Sequence, residues 1–131
     1  MKPNENCKTK TSTPKLPPIS EDMKQWSAML RAELSKWPSV TSRPMFGLTG
    51  FYRGPKIFAA LPVTRGLNSP NGLIFKIQPM PAHLLRRARN ERRINIETKL
   101  RTAKWVSFEL NSPDDLRDAL WWLNQAYERA K

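Results

Sequence analysis

The sequence predicts an α+β fold, a single antiparallel β-sheet of about four to five strands with flanking helices. Three observations carry the prediction. Helix-type and strand-type apolar patterns follow one another in the order helix, strands, helix, strand, helix. Short apolar runs are separated by Gly, Pro and Asn turn signals. The chain has 131 residues, 39% of them hydrophobic, with five Trp and five Phe, enough for one domain with a real core.

Each element has its own justification. Residues 1–19 read as a disordered basic tail: the segment MKPNENCKTKTSTPKLPP is rich in Pro and polar groups and has too little apolar surface to offset chain entropy. The domain is then expected to span 20–131. Ser20 suits a helix cap, Glu21 and Asp22 suit the positive end, and Met23, Trp26, Leu30, Leu34 and Trp37 form a helical stripe that Pro38 stops. Phe46, Leu48, Phe51 and Tyr52 read as strand material, with Gly47 and Gly50 allowing bends or bulges and Gly54 a turn. Lys56–Leu61 is a second strand ended by Pro62, and Leu73–Ile77 a third after the turn signal Asn71-Gly72. Pro79 and Pro81 precede a helix with Leu84, Leu85 and Ala88 on its apolar face. Lys104–Leu110 alternates as a half-buried strand. Ser112-Pro113-Asp114-Asp115 opens a last helix lined by Leu116, Leu120, Leu123 and Tyr127. Met45, Phe46, Phe58 and Phe75 are expected in the core.

The glycines of RPMFGLTGFYRGPKIFAALP (43–62) do not make a phosphate-binding or catalytic loop. A Walker loop needs Lys and Ser or Thr after its last Gly, and the dinucleotide fingerprint and the Gly-x-Ser-x-Gly elbow also fail on spacing. Elsewhere, His83 is the single histidine and Cys7 the single cysteine, so zinc spacing and an internal disulfide are both missing, and no metal or cofactor is expected. Asp114 and Asp115 are better explained by helix capping than as a catalytic pair. The polar N-terminus, the lone Cys and the lack of a long apolar run predict a cytoplasmic protein without a membrane partner.

Charge is the strongest functional signal. The net charge is +12, and residues 86–104 alone carry +6. Arg86, Arg87, Arg89, Arg92 and Arg93, followed by Lys99, Arg101 and Lys104, are the candidate nucleic-acid-binding residues, because guanidinium groups grip phosphate in a fork. Arg86, Arg89 and Arg93 are expected to share one helix face. Such a patch positions a phosphate backbone without reading bases. The bland reading is a solvated helix face partly neutralised by Glu91 and Glu97.

Met45-Phe46-Gly47, then Gly50-Phe51-Tyr52, then Lys56-Ile57-Phe58-Ala59 resembles the N-terminal domain of the TfoX (Sxy) family, which typically reads Met-Phe-Gly-Gly, a Gly-aromatic pair and a strand ending in Phe-Ala. Leu73–Ile77 is similar to the strand that follows, and Trp105-Val106 with the Tyr-bearing last helix is similar to the related MmcQ/YjbR group. The resemblance covers roughly 20–131; Leu48 departs from it, standing where the family has a second Gly, and the family's C-terminal domain has no counterpart in these residues. It implies a small non-enzymatic α+β domain linked, in its two-domain form, to transcription regulation of competence genes. Two functions follow as expectations: a DNA-binding or other nucleic-acid-associated regulatory or accessory domain acting through the Arg-rich helix, or a protein-interaction adaptor. Adjacent Trp121 and Trp122 favour the second, since both cannot face one core line.

Overall fold

The computed structural model describes residues 18–45, 47–64, 71–77, 80–95 and 105–130. It has the expected α+β architecture. The strands are β1 (Val40–Met45), β2 (Leu48–Arg53), β3 (Lys56–Pro62), β4 (Gly72–Phe75), β5 (Ile94–Asn95) and β6 (Val106–Glu109), and the helices are α1 (Glu21–Leu34), α2 (Ala82–Arg89) and α3 (Asp115–Glu128). One sheet of six strands runs β1-β2-β3-β4-β6-β5, and every neighbouring pair is antiparallel. The extra strands over the four to five expected are its edges. β1 is almost wholly exposed and carries Pro44, so it lacks the apolar alternation by which a strand is recognised, as suits an edge. β5 is only two residues long.

Among the described residues the sheet has one covered face and one open face. Phe51, Ala59, Phe75 and Val106 are successive register partners across four strands, and all are buried beneath α1 and α3. The opposite row, from Arg43 through Gly50, Ala60 and Ile74 to Ser107, points the other way, because side chains alternate along a strand. Tyr52, Ile57, Ile74 and Trp105 are half-buried and do not join the core cluster.

α1 follows its sequence pattern. The Met23 amide donates to Ser20 Oγ at 3.1 Å, and Met23, Trp26, Leu30 and Leu34 are buried. The helix ends at Leu34, before Pro38, with the Ser35 amide and hydroxyl both bonded to the Arg31 carbonyl. Ser27 is the one buried polar side chain on that face and donates to the Pro62 carbonyl. Ile19, assigned to the tail from sequence, is buried in the core, and its amide donates to Thr64 O at 3.3 Å.

α3 is rotated relative to the expected Leu stripe. Ala119, Trp122, Leu123, Ala126 and Tyr127 are buried, while Leu116 and Leu120 are only partly so. The two alanines let the helix backbone approach the sheet, and Trp122 stacks on Phe75 with ring centroids 5.7 Å apart. The helix starts later than the Ser112-Pro113 signal implies: Asp114 is the N-cap and makes no side-chain cap bond, while Asp115 reaches back and accepts from the amides of Asn111 and Ser112 at 2.8 and 3.2 Å.

The turn at Gly54 forms as expected, and the bulge and the Asn71-Gly72 turn do not. Gly54 has φ 59° and precedes Pro55, so the turn expected there forms as a tight two-residue hairpin loop between Arg53 and Lys56, with Gly at the central position that needs positive φ. Gly47 also has positive φ, but Gly50 lies in mid-strand, where a Cβ would sit 2.8 Å from Met45 Sδ. The bulge falls instead at Phe58: Phe51 pairs with Ala59 and Tyr52 with Ile57, so Phe58 is the extra residue and both Phe58 and Ala59 are buried. Asn71-Gly72 does not take the positive-φ hairpin form; Gly72 opens β4 opposite Glu109. Of the expected core residues, Phe58 and Phe75 are fully buried, Met45 is half-buried and Phe46 lies outside the described residues. No helix among the described residues is long and apolar enough to cross a membrane.

Two stability predictions follow from this geometry. Phe58 packs against Trp37 and Tyr127 at centroid distances of 6.4 and 5.6 Å, so Phe58→Ala is expected to cost about 3–5 kcal/mol in denaturant titration; a change near zero refutes the packing. At Gly54 no atom lies within 4 Å of an added Cβ, leaving backbone strain as the sole penalty. Gly54→Ala is therefore expected to cost about 1–2 kcal/mol, and Gly54→Asn less, because Asn tolerates the left-handed region.

Candidate nucleic-acid interface

The structure divides the candidate basic residues into three groups. Arg86 and Arg89 are exposed, lie one turn apart on α2, and line a shallow surface cleft of about 360 Å³ with Ala82, Leu85 and Asn90. Arg92 is exposed just beyond the helix. These three have no ion-pair or hydrogen-bond partner among the described residues. They are displayed because Leu84, Leu85 and Ala88 bury the opposite face of α2, as the sequence predicts. Lys99, Arg101 and Lys104 lie outside the described residues.

Arg93 does not share the Arg86–Arg89 face; it is the centre of an internal ion-pair network. Its Nε and Nη2 donate to the two carboxylate oxygens of Glu91 at 2.6 and 2.7 Å, Nη1 donates to Asp115 Oδ1 at 2.8 Å, and Nη2 also donates to Asp118 Oδ2 at 2.8 Å. The guanidinium lies over the Phe108 ring, 4.9 Å from its centroid. Its side chain is 22% exposed, and four of the five N–H groups of its guanidinium are already donated to carboxylates, so little of it is left for an external phosphate. The Glu91 bond raises the Arg93 pKa, and that same bond lowers the Glu91 carboxyl below the usual range against the opposing effect of burial. Arg87 is also engaged: its guanidinium stacks 4.0 Å from the centroid of Trp121.

This pairing changes the reading of the tryptophans. Trp122 is buried, and Trp121 is half-buried, edge-on to Trp122 and covered by Arg87. Neither is a bare aromatic. His83 is exposed near the start of α2, and no three His, Cys, Asp or Glu side chains are grouped to hold a metal among the described residues. Cys7 lies outside the described residues.

Cations passed over in the sequence also take defined places. Arg53 donates from Nη1 to the Tyr127 carbonyl at 3.0 Å and lies 4.2 Å from that ring's centroid. Arg43 lies over Tyr52, and Lys76 and Arg129 line one cleft with that Tyr. Each stands alone among unlike neighbours in the sequence, so only the strand register and the end of α3 bring them together. Comparison of the chain with protein-family models, curated proteins and solved structures returns no match.

The network makes a prediction that separates structure from binding. Arg93→Gln strands three carboxylates together and is expected to destabilise the fold by about 2–4 kcal/mol, whereas Arg86→Gln stays within about 0.5 kcal/mol; equal effects in thermal melts contradict the assignment. The Glu91 carboxyl is depressed in the folded state, so its contribution is present above the unfolded value of about 4.3 and is lost as pH falls through the folded value. The stability gap between wild type and Glu91→Gln is thus expected to close in urea titrations taken below about pH 4. A gap that persists in acid refutes the role of the ionised carboxylate.

Proposed function

We propose that this chain is a non-enzymatic nucleic-acid-associated domain, a regulatory or accessory module of the kind the TfoX-like resemblance implies, that grips phosphate backbone through Arg86, Arg89 and Arg92. The observation that carries the reading is that these exposed guanidinium groups have no partner among the described residues, whereas the neighbouring Arg87 and Arg93 are engaged internally. Unpaired arginines keep their donors for external oxyanions and release counterions when they meet a polyanion. Asp115, one of the Asp114–Asp115 pair, is bound to Arg93 together with Asp118, which favours a structural role for it over acid–base chemistry. A protein-interaction adaptor is the alternative. It draws less support, because Met29 is a single exposed large hydrophobic side chain among the described residues, and an isolated one is ordinary on any surface.

Replacing Arg86, Arg89 and Arg92 together with Gln tests the reading. Fluorescence anisotropy on labelled duplexes is expected to show weaker binding and a slope of log K against log salt shallower by about 0.9 per lost contact, roughly 3 in all. The change should be alike across unrelated sequences, because phosphate contacts do not read bases. An unchanged slope removes α2 as the interface, and absence of wild-type binding at low salt removes the nucleic-acid reading.

A further inference from the structure

A second cationic feature lies away from α2, beside the end of α3. A cleft of about 420 Å³ opens where the β2–β3 hairpin meets the C-terminus of that helix, lined among others by Tyr52, Ile57, Lys76, Arg129 and Ala130. No Asp or Glu is among its described lining residues. Neither the Lys76 ammonium nor the Arg129 guanidinium has an ion-pair partner among the described residues. Tyr52 sits on the open face of the sheet, and Arg43 lies 5.1 Å from its ring centroid.

The parts fit one ligand chemistry. A half-buried aromatic ring on an open sheet face is a stacking surface for an unpaired base, and the arginine above it adds a cation–π partner for a stacked π-system. Ile57 and Ala130 supply apolar walls, and Lys76 and Arg129 supply positive charge for the phosphate that follows the base. The backbone of a duplex keeps its bases stacked inside, so only a single strand can use such a ring. We infer that this cleft holds one nucleotide of a single-stranded nucleic acid, its base on Tyr52 and its phosphate between Lys76 and Arg129. The inference rests on the nucleic-acid reading above and adds to it a site, a strand state and a stacking residue.

The test compares a labelled oligo-dT of about 12 nucleotides with a duplex of equal length by anisotropy at low salt. Wild type is expected to bind both. Tyr52→Leu, which keeps apolar bulk, is expected to weaken single-strand binding roughly tenfold and leave duplex binding unchanged, while Tyr52→Phe retains the affinity. Should Tyr52→Leu unfold, Lys76→Gln/Arg129→Gln reads the same site; it is expected to flatten the single-strand salt slope by about 0.7 per contact, roughly 1.4 in total. Equal single-strand binding by wild type, Tyr52→Leu and the double variant overturns the site, while duplex binding still sensitive to Arg86, Arg89 and Arg92 leaves the wider reading intact. Saturable binding of a polyglutamate peptide with none of oligo-dT also overturns it, in favour of an acidic protein partner.

Discussion

Arg93 and Arg53 hold α3 at its two ends, and the rest of the domain depends on that clamp. The first turn of the helix presents Asp115 and Asp118, which suit its positive end, and both carboxylates accept from Arg93. The last turn presents the Tyr127 carbonyl, which accepts from Arg53. The helix is thus tied at each end by an arginine, Arg93 from the segment before β5 through the carboxylates of the first turn and Arg53 from the end of β2 directly to a carbonyl of the last, where a cation suits the dipole. The Tyr127 hydroxyl then donates to the Pro38 carbonyl at 2.7 Å, which fixes the connection from α1 to β1. In the same connection Ser39 takes a positive φ of 64°, and its carbonyl accepts from the Gly54 amide at 3.2 Å. The end of α1, the β2–β3 turn and the end of α3 therefore converge on one aromatic group, Trp37, Phe58 and Tyr127.

What the sequence made legible follows from how local each signal is. The α1 stripe, the Ser20 cap, the carboxylate of Asp115 reaching back to the helix start and the apolar face of α2 all lie within a few residues of their partners. They were readable because helical spacing and capping are short-range. β1 was not readable: an edge strand of Val40, Thr41, Ser42, Arg43, Pro44 and Met45 owes its state to its ladder with β2 rather than to an apolar face of its own. The α3 face departs from the leucine pattern because close packing on a sheet favours the small residues Ala119 and Ala126. The bulge at Phe58 has no glycine to announce it.

The candidate site is legible in a different degree. Its charge was plain in the sequence, but its availability was not. Arg93 meets Asp115 and Asp118 across 22 and 25 residues, and nothing in the basic run marks it as different from Arg92. The distinction is physical: the carboxylates of α3 reach only the guanidinium that the β5–β6 pairing brings to them, and Glu109 donates its amide to the Arg93 carbonyl at 2.8 Å to hold it there. A basic segment is thereby split into an arginine that builds the fold and arginines that remain for solvent or a ligand.

That split also explains how a chain of net charge +12 keeps a cationic surface around a well-paired interior. Glu91, Asp115 and Asp118 all pair with Arg93, and Arg86 and Arg89 have no direct acidic partner among the described residues. Arg86, Arg87 and Arg89 fall in the last turn of α2, where cations complement the helix dipole and support the helix without any ligand. The dipole accounts for tolerance of positive charge there, but it asks nothing of Arg92 beyond the helix or of Lys76 and Arg129 at the other end of α3. Positive charge persisting at separated places, with an aromatic ring in one of them, is the arrangement that an extended polyanion can bridge and a single helix dipole does not require.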